Sequence, residues 1–184
     1  YEDNDVINFY SKIINELKEC KIILYNFEKL SGYKFSTTCI KNLVTRYPDQ
    51  IIGVKDSSYN LYENLKLENF SVFPGSELKL LKGLELGCAG IITATCNVTA
   101  KLSRRVYDDF HSGKKQFYNQ KLCDVRAAFD KYNLISGLHS FCSQENKIYE
   151  NVLPPLSILN TDDQKDLINA LKDLDFTNKS PLAA

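Results

Sequence analysis

Short apolar runs alternate with segments of helical periodicity through the first half of the chain. Runs with the length of buried strands lie at residues 22–25, 51–55, 72–73 and 90–92. The segments between them carry apolar residues every three or four positions, which is typical of amphipathic helices. Strands that alternate with helices in this way favour a parallel sheet built from βα units.

The helices of this first half have recognisable starts. We expect them after Asp3 or Asn4, after Ser36, near residues 61–67 and over residues 77–86. The polar side chains in front of the first two can each accept a hydrogen bond from the first turn of a helix. The last three of these helices each lie between two predicted strands and would serve as crossovers in a parallel sheet.

In the second half of the chain the periodicity is helical only. Helices are predicted over about residues 114–134 and 138–145, and Thr161 with Gln164 can form a capping box for the last helix. Four βα units followed by helices fit a four-stranded doubly wound sheet, or half of an eight-stranded barrel with a helical extension. We favour the half-barrel, because the chain opens at Tyr1 inside an acidic helix-entry sequence and contains no methionine.

Composition narrows the class of protein. The 184 residues are 43% hydrophobic, which is enough for one core of ordinary size. The 23 basic and 23 acidic side chains balance, so charge gives no reason to expect nucleic acid or an anionic membrane as a partner. Because no apolar run approaches the roughly 20 residues that span a bilayer, no membrane segment is expected.

The six cysteines and two histidines shape the expectations about location and metals. None of the cysteines forms a CxxC pair, and all lie in apolar or periodic segments, as small buried hydrophobic residues do. We therefore expect reduced thiols in a cytoplasmic protein rather than disulfides. Because only two histidines are present, no histidine-based metal site is expected.

Lys55 ends an apolar run that otherwise has the composition of a buried parallel strand. At the C-terminal end of a barrel strand, its side chain would point into the active-site mouth. Loss of water around the ammonium group disfavours the charged form, and a neutral amine can attack a ketone to form an imine. On the pattern alone, however, a strand-end lysine that simply reaches solvent is the commoner case.

Other strand ends carry side chains suited to the same chemistry. Tyr25 ends the preceding strand, and a phenol near an amine nucleophile can pass protons to and from a substrate oxygen. Ser57 and the serine after it can donate to a substrate or cap a helix. At the third strand end, Gly75 allows close backbone approach, and Ser76 or Glu77 can bind hydroxyls. The alternatives are a core tyrosine with a bonded hydroxyl, and a turn that leads into a helix with an acidic first turn.

Together these residues resemble the dihydrodipicolinate synthase / N-acetylneuraminate lyase family. The order and spacing of the matching segments agree over nearly the whole chain. Those segments are Leu24-Tyr25-Asn26, Ser31-Gly32, Gly53-Val54-Lys55-Asp56-Ser57, Phe73-Pro74-Gly75-Ser76-Glu77, Leu86-Gly87-Cys88-Ala89-Gly90-Ile91-Ile92 and Pro154-Pro155-Leu156. Several motifs in register over consecutive strand ends make the resemblance specific.

The resemblance implies an α/β fold, a (β/α)8 TIM barrel with a C-terminal helical extension, often assembled as a homotetramer of paired dimers. It implies that residues 1–112 form the second half of the barrel, strands 5 to 8, and that residues 113–184 form the C-terminal helical region. The first four strands would then precede Tyr1. In the family, that first half carries the loop that holds the pyruvate carboxylate and a second tyrosine of the proton relay.

By position, the resemblance also implies a role for each candidate residue. Lys55 matches the imine-forming lysine, and Tyr25 matches the tyrosine that relays protons to the bound keto acid. Ile92 matches the position whose main-chain carbonyl lies beside the pyruvate unit. The positions that contact the second substrate are matched by Ser57, Gly75, Ser76 and Glu77. Pyruvate, held as an imine, is the only covalent group implied, with no separate cofactor.

Three positions depart from the family's usual pattern. The synthases usually carry an arginine where this chain has Leu30, which weighs against lysine biosynthesis. The sialic acid lyases tend to have consecutive acids, whereas Leu78 follows Glu77 here. The family also normally has proline where this chain has Glu28, a departure that the sequence does not explain.

The segment at residues 75–77 most resembles the 2-keto-3-deoxygluconate aldolases. We therefore expect a class I lyase or aldolase that splits a 2-keto-3-deoxy sugar acid into pyruvate and an aldehyde, or joins the two. Its partners would be the small keto acid and aldehyde, together with further copies of the chain in a dimer or tetramer. Dihydrodipicolinate synthase, N-acetylneuraminate lyase and an inactive member with a binding or regulatory role remain alternatives.

Overall fold

The computed structural model describes residues 1–177 of the chain. These residues divide into two compact units. The first unit contains residues 1–75 and 82–92, and the second contains residues 76–81 together with the chain from residue 93 onward.

The first unit is an α/β arrangement around a parallel sheet. Its elements are α1 (Asp3–Glu16), β1 (Ile22–Asn26), α2 (Glu28–Ser31), α3 (Thr37–Arg46), β2 (Ile51–Asp56) and β3 (Ser71–Pro74). The sheet has three strands in the order β1-β2-β3, and both pairings are parallel. The predicted parallel sheet of βα units is therefore confirmed for these strands.

The fourth predicted strand, residues 90–92, does not join the regular ladder. Two hydrogen bonds still tie this segment to β3, from Ala89 N to the Val72 carbonyl at 3.0 Å and from Ile92 N to the Pro74 carbonyl at 3.2 Å. The donors lie three residues apart and the acceptors two. Gly90 takes up the extra residue with φ +148°, a conformation that favours glycine. The prediction of a regular strand was wrong here, because the extra residue breaks the register.

The two faces of the sheet differ in burial. Side chains alternate along each strand, so Leu24 and Val54 share one face while Tyr25 and Lys55 share the other. Leu24 and Val54 are fully buried in the apolar cluster that α1 and α3 complete. Tyr25, in contrast, is 41% exposed. The strand ends therefore present the candidate side chains on the face that these helices leave uncovered.

The helix starts were predicted with mixed success. Ser36 caps α3, because its hydroxyl accepts a hydrogen bond from Cys39 N at 2.9 Å. The first helix begins at Asp3 with Glu2 in the capping position, one residue earlier than the sequence suggested. The helix expected near residues 61–67 is absent, because this segment forms turns that begin around the Asp56 side chain.

The second unit is helical. Its elements are a 3₁₀ turn (Glu77–Lys79), the start of α4 (Leu80–Glu85), α5 (Cys96–His111), α6 (Asn119–Phe129), α7 (Leu134–Cys142), a second 3₁₀ turn (Lys147–Glu150) and α8 (Thr161–Asp173). Its core contains stacked and edge-packed rings, with centroids 5.7 Å apart for Phe129 and Phe141 and 5.9 Å for Phe141 and Phe176.

Two predictions for this helical unit need correction. The single helix expected over residues 114–134 is shorter, because α6 begins only at Asn119 and ends at Phe129, and α7 then starts with Asn133 as its cap. The last helix is capped by Asn160, whose side-chain oxygen accepts from the N–H groups of Asp162 and Asp163. The predicted box of Thr161 and Gln164 is therefore replaced by an asparagine cap one residue earlier.

All six cysteines are free thiols. Among the helices over residues 1–177, none combines the length and apolar character needed to cross a bilayer.

Candidate active site

Lys55 and Tyr25 are paired across β1 and β2, with their Cα atoms in register. The Lys55 Nζ lies over the Tyr25 ring, 4.0 Å from its centroid. A cation this close to the face of an aromatic ring is attracted by the ring's quadrupole. The Phe27 ring also lies near the Tyr25 ring, with the two centroids 5.8 Å apart. The two side chains that the sequence singled out are therefore in direct contact at neighbouring strand ends.

Gly75 and Ser57 meet at the ends of the next pair of strands. A Cβ atom built on Gly75 would lie 2.2 Å from Ser57 Oγ and 3.1 Å from Ser57 Cα. The N–H of Gly75 donates to the Asp56 carbonyl at 3.0 Å, which fixes this approach. The predicted need for a glycine at this turn is thus explained, and the group that comes close is the Ser57 side chain.

Ile92 lies beside the end of β3, where its N–H donates to the Pro74 carbonyl. It is half-buried, as are Lys55 and Ser57. Tyr25, Lys55, Ser57, Gly75 and Ile92 all belong to the first unit. They occupy the carboxyl ends of the strands or the turns that follow them, which is where α/β barrels carry their active sites.

The backbone N–H of Glu28, at the position where the resemblance led us to expect proline, has a hydrogen-bond partner. The N–H of Glu28 donates to Ser58 Oγ at 3.0 Å. Proline has no N–H and could not make this bond. The Glu28 carboxylate also pairs with Lys34 at 3.1 Å, although both side chains are about half exposed. Ser58, which the sequence offered as a helix cap, instead ties the loop after β2 to the loop after β1.

Ser76 and Glu77 belong to the second unit. Ser76 is buried, and its hydroxyl accepts from Leu78 N at 3.3 Å at the start of the 3₁₀ turn. Glu77 is fully buried and accepts three hydroxyl donors, from Thr93, Thr95 and Thr99. Its carboxylate therefore already has partners within the protein, whereas the sequence suggested that it contacts a substrate.

Arg126 supplies the positive charge that balances Glu77. Its Nη1 nitrogen lies 2.9 Å from Glu77 Oε2, and its Nε nitrogen donates to Asp130 at 2.8 Å. Burial of the guanidinium works to lower the pKa of Arg126, but the hydrogen bonds to Glu77 and Asp130 and their charges raise it overall. The guanidinium therefore stays charged, and Glu77 and Arg126 form a buried ion pair.

Sequence reasoning missed Arg126 and the threonines around Glu77. One signal was available for the arginine. It lies on the same helix stripe as Leu122, Val125 and Phe129, which are all buried. A basic residue on the apolar face of a helix needs a buried partner, because an unpaired charge there is costly. The identity of that partner could not be read from the pattern, since Glu77 lies 49 residues away along the chain.

The class that the structure defines is an α/β fold with a parallel βα sheet, in which neighbouring strand ends bring a lysine amine into contact with a tyrosine ring. The comparison with protein families gives the particular group. The model of the Dihydrodipicolinate synthetase family matches residues 1–174. The chain belongs to this family.

Two relatives of known name illustrate the range of activities. The chain is 27% identical over 176 residues to the 4-hydroxy-tetrahydrodipicolinate synthase of Methanococcoides burtonii. This alignment covers 89% of this chain and 58% of that protein. It is 25% identical over 162 residues to the 2-dehydro-3-deoxy-D-gluconate/2-dehydro-3-deoxy-phosphogluconate aldolase of Picrophilus torridus. This second alignment covers 84% of this chain and 60% of that protein. Family members with these names are lyases or aldolases, and this chain spans less than two thirds of their length.

Solved structures agree on the fold. The 4-hydroxy-tetrahydrodipicolinate synthase of Methylacidiphilum fumariolicum SolV aligns with a TM-score of 0.83 at 17% identity, over 95% of this chain and 60% of that one. The family member YagE from E. coli K12, solved in complex with pyruvate, aligns with a TM-score of 0.77 at 20% identity, over 96% and 63%. The fold is that of the (β/α)8-barrel enzymes, and the coverage is consistent with the C-terminal half of the barrel and its helical extension.

Proposed function

We propose that the protein to which this chain belongs is a class I aldolase or lyase that holds pyruvate as an imine on Lys55. The contact between Lys55 Nζ and the Tyr25 ring, at 4.0 Å, is the observation that carries the proposal. An amine nucleophile and a phenol at adjacent strand ends are the two groups that such chemistry needs. The crystal structure of YagE with pyruvate supports the choice of keto acid.

In the cleavage direction, the Lys55 amine attacks the C2 carbonyl of the keto acid, and the carbonyl oxygen leaves as water. The resulting iminium ion accepts the electron pair of the C3–C4 bond when that bond breaks. The hydroxyl on C4 gives up its proton and becomes the carbonyl of the departing aldehyde, with Tyr25 as the proton relay. The enamine is then protonated at C3, and hydrolysis releases pyruvate and restores the amine.

For the substrate we favour a 2-keto-3-deoxy sugar acid. Leu30 is 73% exposed in α2 and offers no positive charge for a second carboxylate. The family's synthases usually carry arginine at this position to hold such a group. The aldolase of Picrophilus torridus is a relative with the favoured activity. We propose that Ser57, Gly75 and Ile92, which all belong to the first unit, contact the substrate.

Dihydrodipicolinate synthesis is the second candidate. The observation in its favour is the relative from Methanococcoides burtonii, at a slightly higher identity than the aldolase. Both candidates share the pyruvate imine and differ only in the aldehyde that reacts with it. In either case we propose a cytoplasmic homo-oligomer, a dimer or tetramer, that uses no cofactor or metal and binds neither nucleic acid nor membrane.

Reductive trapping tests the shared step. The whole natural protein is incubated with pyruvate and borohydride, and peptide mapping by mass spectrometry locates the adduct. We expect a reduced pyruvyl group on Lys55 and none in the Lys55→Arg variant, which keeps the charge but cannot form the imine. Lys66, another lysine of the first unit, serves as the internal control and should stay unmodified. An intact protein without an adduct on Lys55 would rule out the proposal.

A substrate panel then separates the two candidates. The specificity constant for condensation with pyruvate is measured for glyceraldehyde, aspartate semialdehyde and N-acetylmannosamine. We expect glyceraldehyde to be preferred. A clear preference for aspartate semialdehyde would replace the sugar-acid assignment with the synthase, and Leu30→Arg should then raise activity with that aldehyde further.

A further inference from the structure

Asn26 and Asp56 are the last residues of β1 and β2, and each directly follows a candidate catalytic residue. They lie in register, and the Asn26 side-chain nitrogen donates to Asp56 Oδ1 at 2.8 Å. Both side chains are fully buried. Because side chains alternate across a sheet, this pair lies on the opposite face from Tyr25 and Lys55.

The Asp56 carboxylate is bonded by neutral donors on both oxygens. Besides Asn26, its Oδ1 accepts from Tyr59 N at 3.0 Å. Its Oδ2 accepts from Leu61 N at 2.9 Å and from Tyr62 N at 3.0 Å. In the same loop Tyr59 adopts φ +58°, a conformation that costs free energy for a residue other than glycine. The loop after β2 is thus wrapped around this carboxylate.

Asn26 connects the same carboxylate to the loop after β1. Its side-chain oxygen accepts from Phe35 N at 3.0 Å, and its nitrogen also donates to Asn60 Oδ1 at 2.8 Å. The Asn26 carbonyl accepts from Ser57 N at 2.9 Å. The ends of both strands are therefore locked to each other by side chains on one face and by the backbone.

We infer that Asn26 and Asp56 are positioning residues that set the distance between the Lys55 amine and the Tyr25 ring. A shift at either strand end would move a side chain on the far face by a similar amount, because neighbouring residues share one rigid backbone. Both side chains are fully buried on the face opposite Lys55 and Tyr25. Their effect would act through the alignment of Lys55 and Tyr25, so the inference rests on the proposed imine chemistry.

The test measures the rate of reductive trapping by pyruvate in the whole natural protein. Asn26→Ala removes the bond between the strand ends, and Asp56→Asn replaces an acceptor oxygen with a donor at nearly constant size. We expect each to slow trapping at Lys55 about 10- to 100-fold at saturating pyruvate, since a misplacement of about 1 Å costs that much in rate. Asn26→Ser, which keeps a small polar group, should restore part of the rate and serves if Asn26→Ala does not fold.

Asn60→Ala is the matched control. Asn60 accepts from Asn26 and donates to the Phe35 carbonyl at 3.0 Å, so its loss also removes two bonds of the network. It does not end a strand, however, and the bond between Asn26 and Asp56 remains. We expect a lower melting temperature with a trapping rate within about twofold of wild type. If Asn26→Ala lowers the melting temperature but traps pyruvate at the wild-type rate, the pair is merely structural and the inference is wrong.

A double-mutant cycle with Tyr25→Phe gives the second readout. If Asn26 acts by aligning the tyrosine with the lysine, its removal should cost less once the phenol is gone, and the two effects should not add. Full additivity would contradict the inference.

The failure of the inference can be distinguished from failure of the proposed function. If the wild-type protein traps no pyruvate, trace labelling of lysines with acetic anhydride still reports on Lys55. We then expect Asn26→Ala to change the labelling rate of Lys55 relative to Lys66 at least threefold, and Asn60→Ala to leave it unchanged. An unchanged ratio in both variants would refute the positioning role independently of pyruvate.

Discussion

Asp56, the last residue of β2, and Glu77, at the start of the turn after β3, are both fully buried carboxylates, yet their charges are balanced in different ways. Four neutral N–H groups donate to Asp56, three of them from the loop that directly follows it. Glu77 is bonded by threonine hydroxyls and by the guanidinium of Arg126. The Asp56 charge is stabilised mainly by backbone N–H groups close to it in sequence. The Glu77 charge is stabilised by a cation that is 49 residues away along the chain.

This difference has consequences for how each site responds to change. A backbone N–H can only donate, so the donors around Asp56 require an acceptor there. A hydroxyl can donate or accept, so the threonines around Glu77 can reorient. Arg126 can only donate, and its guanidinium would be a buried charge beside apolar residues if it lost Glu77 as its partner. The Asp56 site is therefore sensitive to a change of the carboxylate itself, and the Glu77 site to loss of the cation.

The largest effect should come from Arg126→Met. It leaves the Glu77 carboxylate buried without its counter-charge, and breaking one side of a buried pair costs about 3–5 kcal/mol. The midpoint of urea unfolding of the natural protein measures this. The double variant Glu77→Gln, Arg126→Met should be less destabilised than the sum of the single variants. The exposed pair of Arg104 with Asp108 is the control, and Arg104→Met should leave the midpoint nearly unchanged. A similar small shift for Arg126→Met would contradict the ion-pair assignment.

The comparison becomes sharpest when both carboxylates are changed to amides. Asp56→Asn turns one acceptor oxygen into a donor that faces fixed N–H groups, and each unsatisfied buried group costs about 1–3 kcal/mol. Glu77→Gln should cost more, about 3–5 kcal/mol, because it leaves the Arg126 guanidinium without its buried negative partner, although the hydroxyls of Thr95 and Thr99 can rotate to accept from the new amide. Thermal unfolding of the two variants measured side by side gives the order. The reverse order would show that the type of donor, rather than the cation, dominates.

Gly75→Ala tests whether the backbone around Asp56 is as rigid as its hydrogen bonds imply. The new Cβ would lie 2.2 Å from Ser57 Oγ, and such overpacking costs about 1–3 kcal/mol. Adding Ser57→Gly should restore most of the loss, although a contact of 3.1 Å to the Cα would remain. If Gly75→Ala alone leaves the free energy of unfolding unchanged, then the loop after β2 is less rigid than its hydrogen bonds to Asp56 imply.

The smallest effect concerns a carboxylate near the surface. Hydrogen bonds from Ser36 and then Tyr33 lower the pKa of Asp3 below 3.8, with a partial opposing effect from burial. A lowered pKa in the folded state means that the stabilisation is present above pH 3.8 and is lost as the pH falls through the folded value. Asp3→Asn should therefore lower the melting temperature slightly at neutral pH, where the stabilisation is fully present, and flatten the acid side of a profile of melting temperature against pH, so that the two profiles meet at low pH. An unaltered acid limb would show that Asp3 contributes nothing to it.

Much of the first unit could be predicted from sequence because its interactions are local. Short apolar runs predict the strands. The Ser36 cap is predicted because its hydroxyl precedes by three residues an N–H group in the first turn of the helix, which has no partner within the helix. The parts that failed have a physical reason. Residues 61–67 turn around Asp56 instead of forming a helix, and the segment at Gly90 contains one residue too many for the ladder. Hydrophobic periodicity carries no information about either.

In the candidate site, too, some residues could be identified from the sequence and others only from the structure. Lys55 and Tyr25 could be chosen from the sequence, because each ends an apolar strand and belongs to a motif in register with the others. Their contact could be expected too, since parallel strands bring their carboxyl ends to one edge of the sheet. Glu77 looked like a substrate ligand for the same reason, and only the structure revealed that its oxygens bond to threonines and an arginine.

The sequence by itself determined the family, the βα order and the two residues on which the proposed chemistry depends, because these are properties of short segments and their spacing. The tertiary structure alone decided which side chains share a buried volume. It placed Arg126 against Glu77 across 49 residues and joined Asn26 to Asp56 across 30. Such pairs form because a buried charge or amide must find a partner wherever the packed elements bring one within reach.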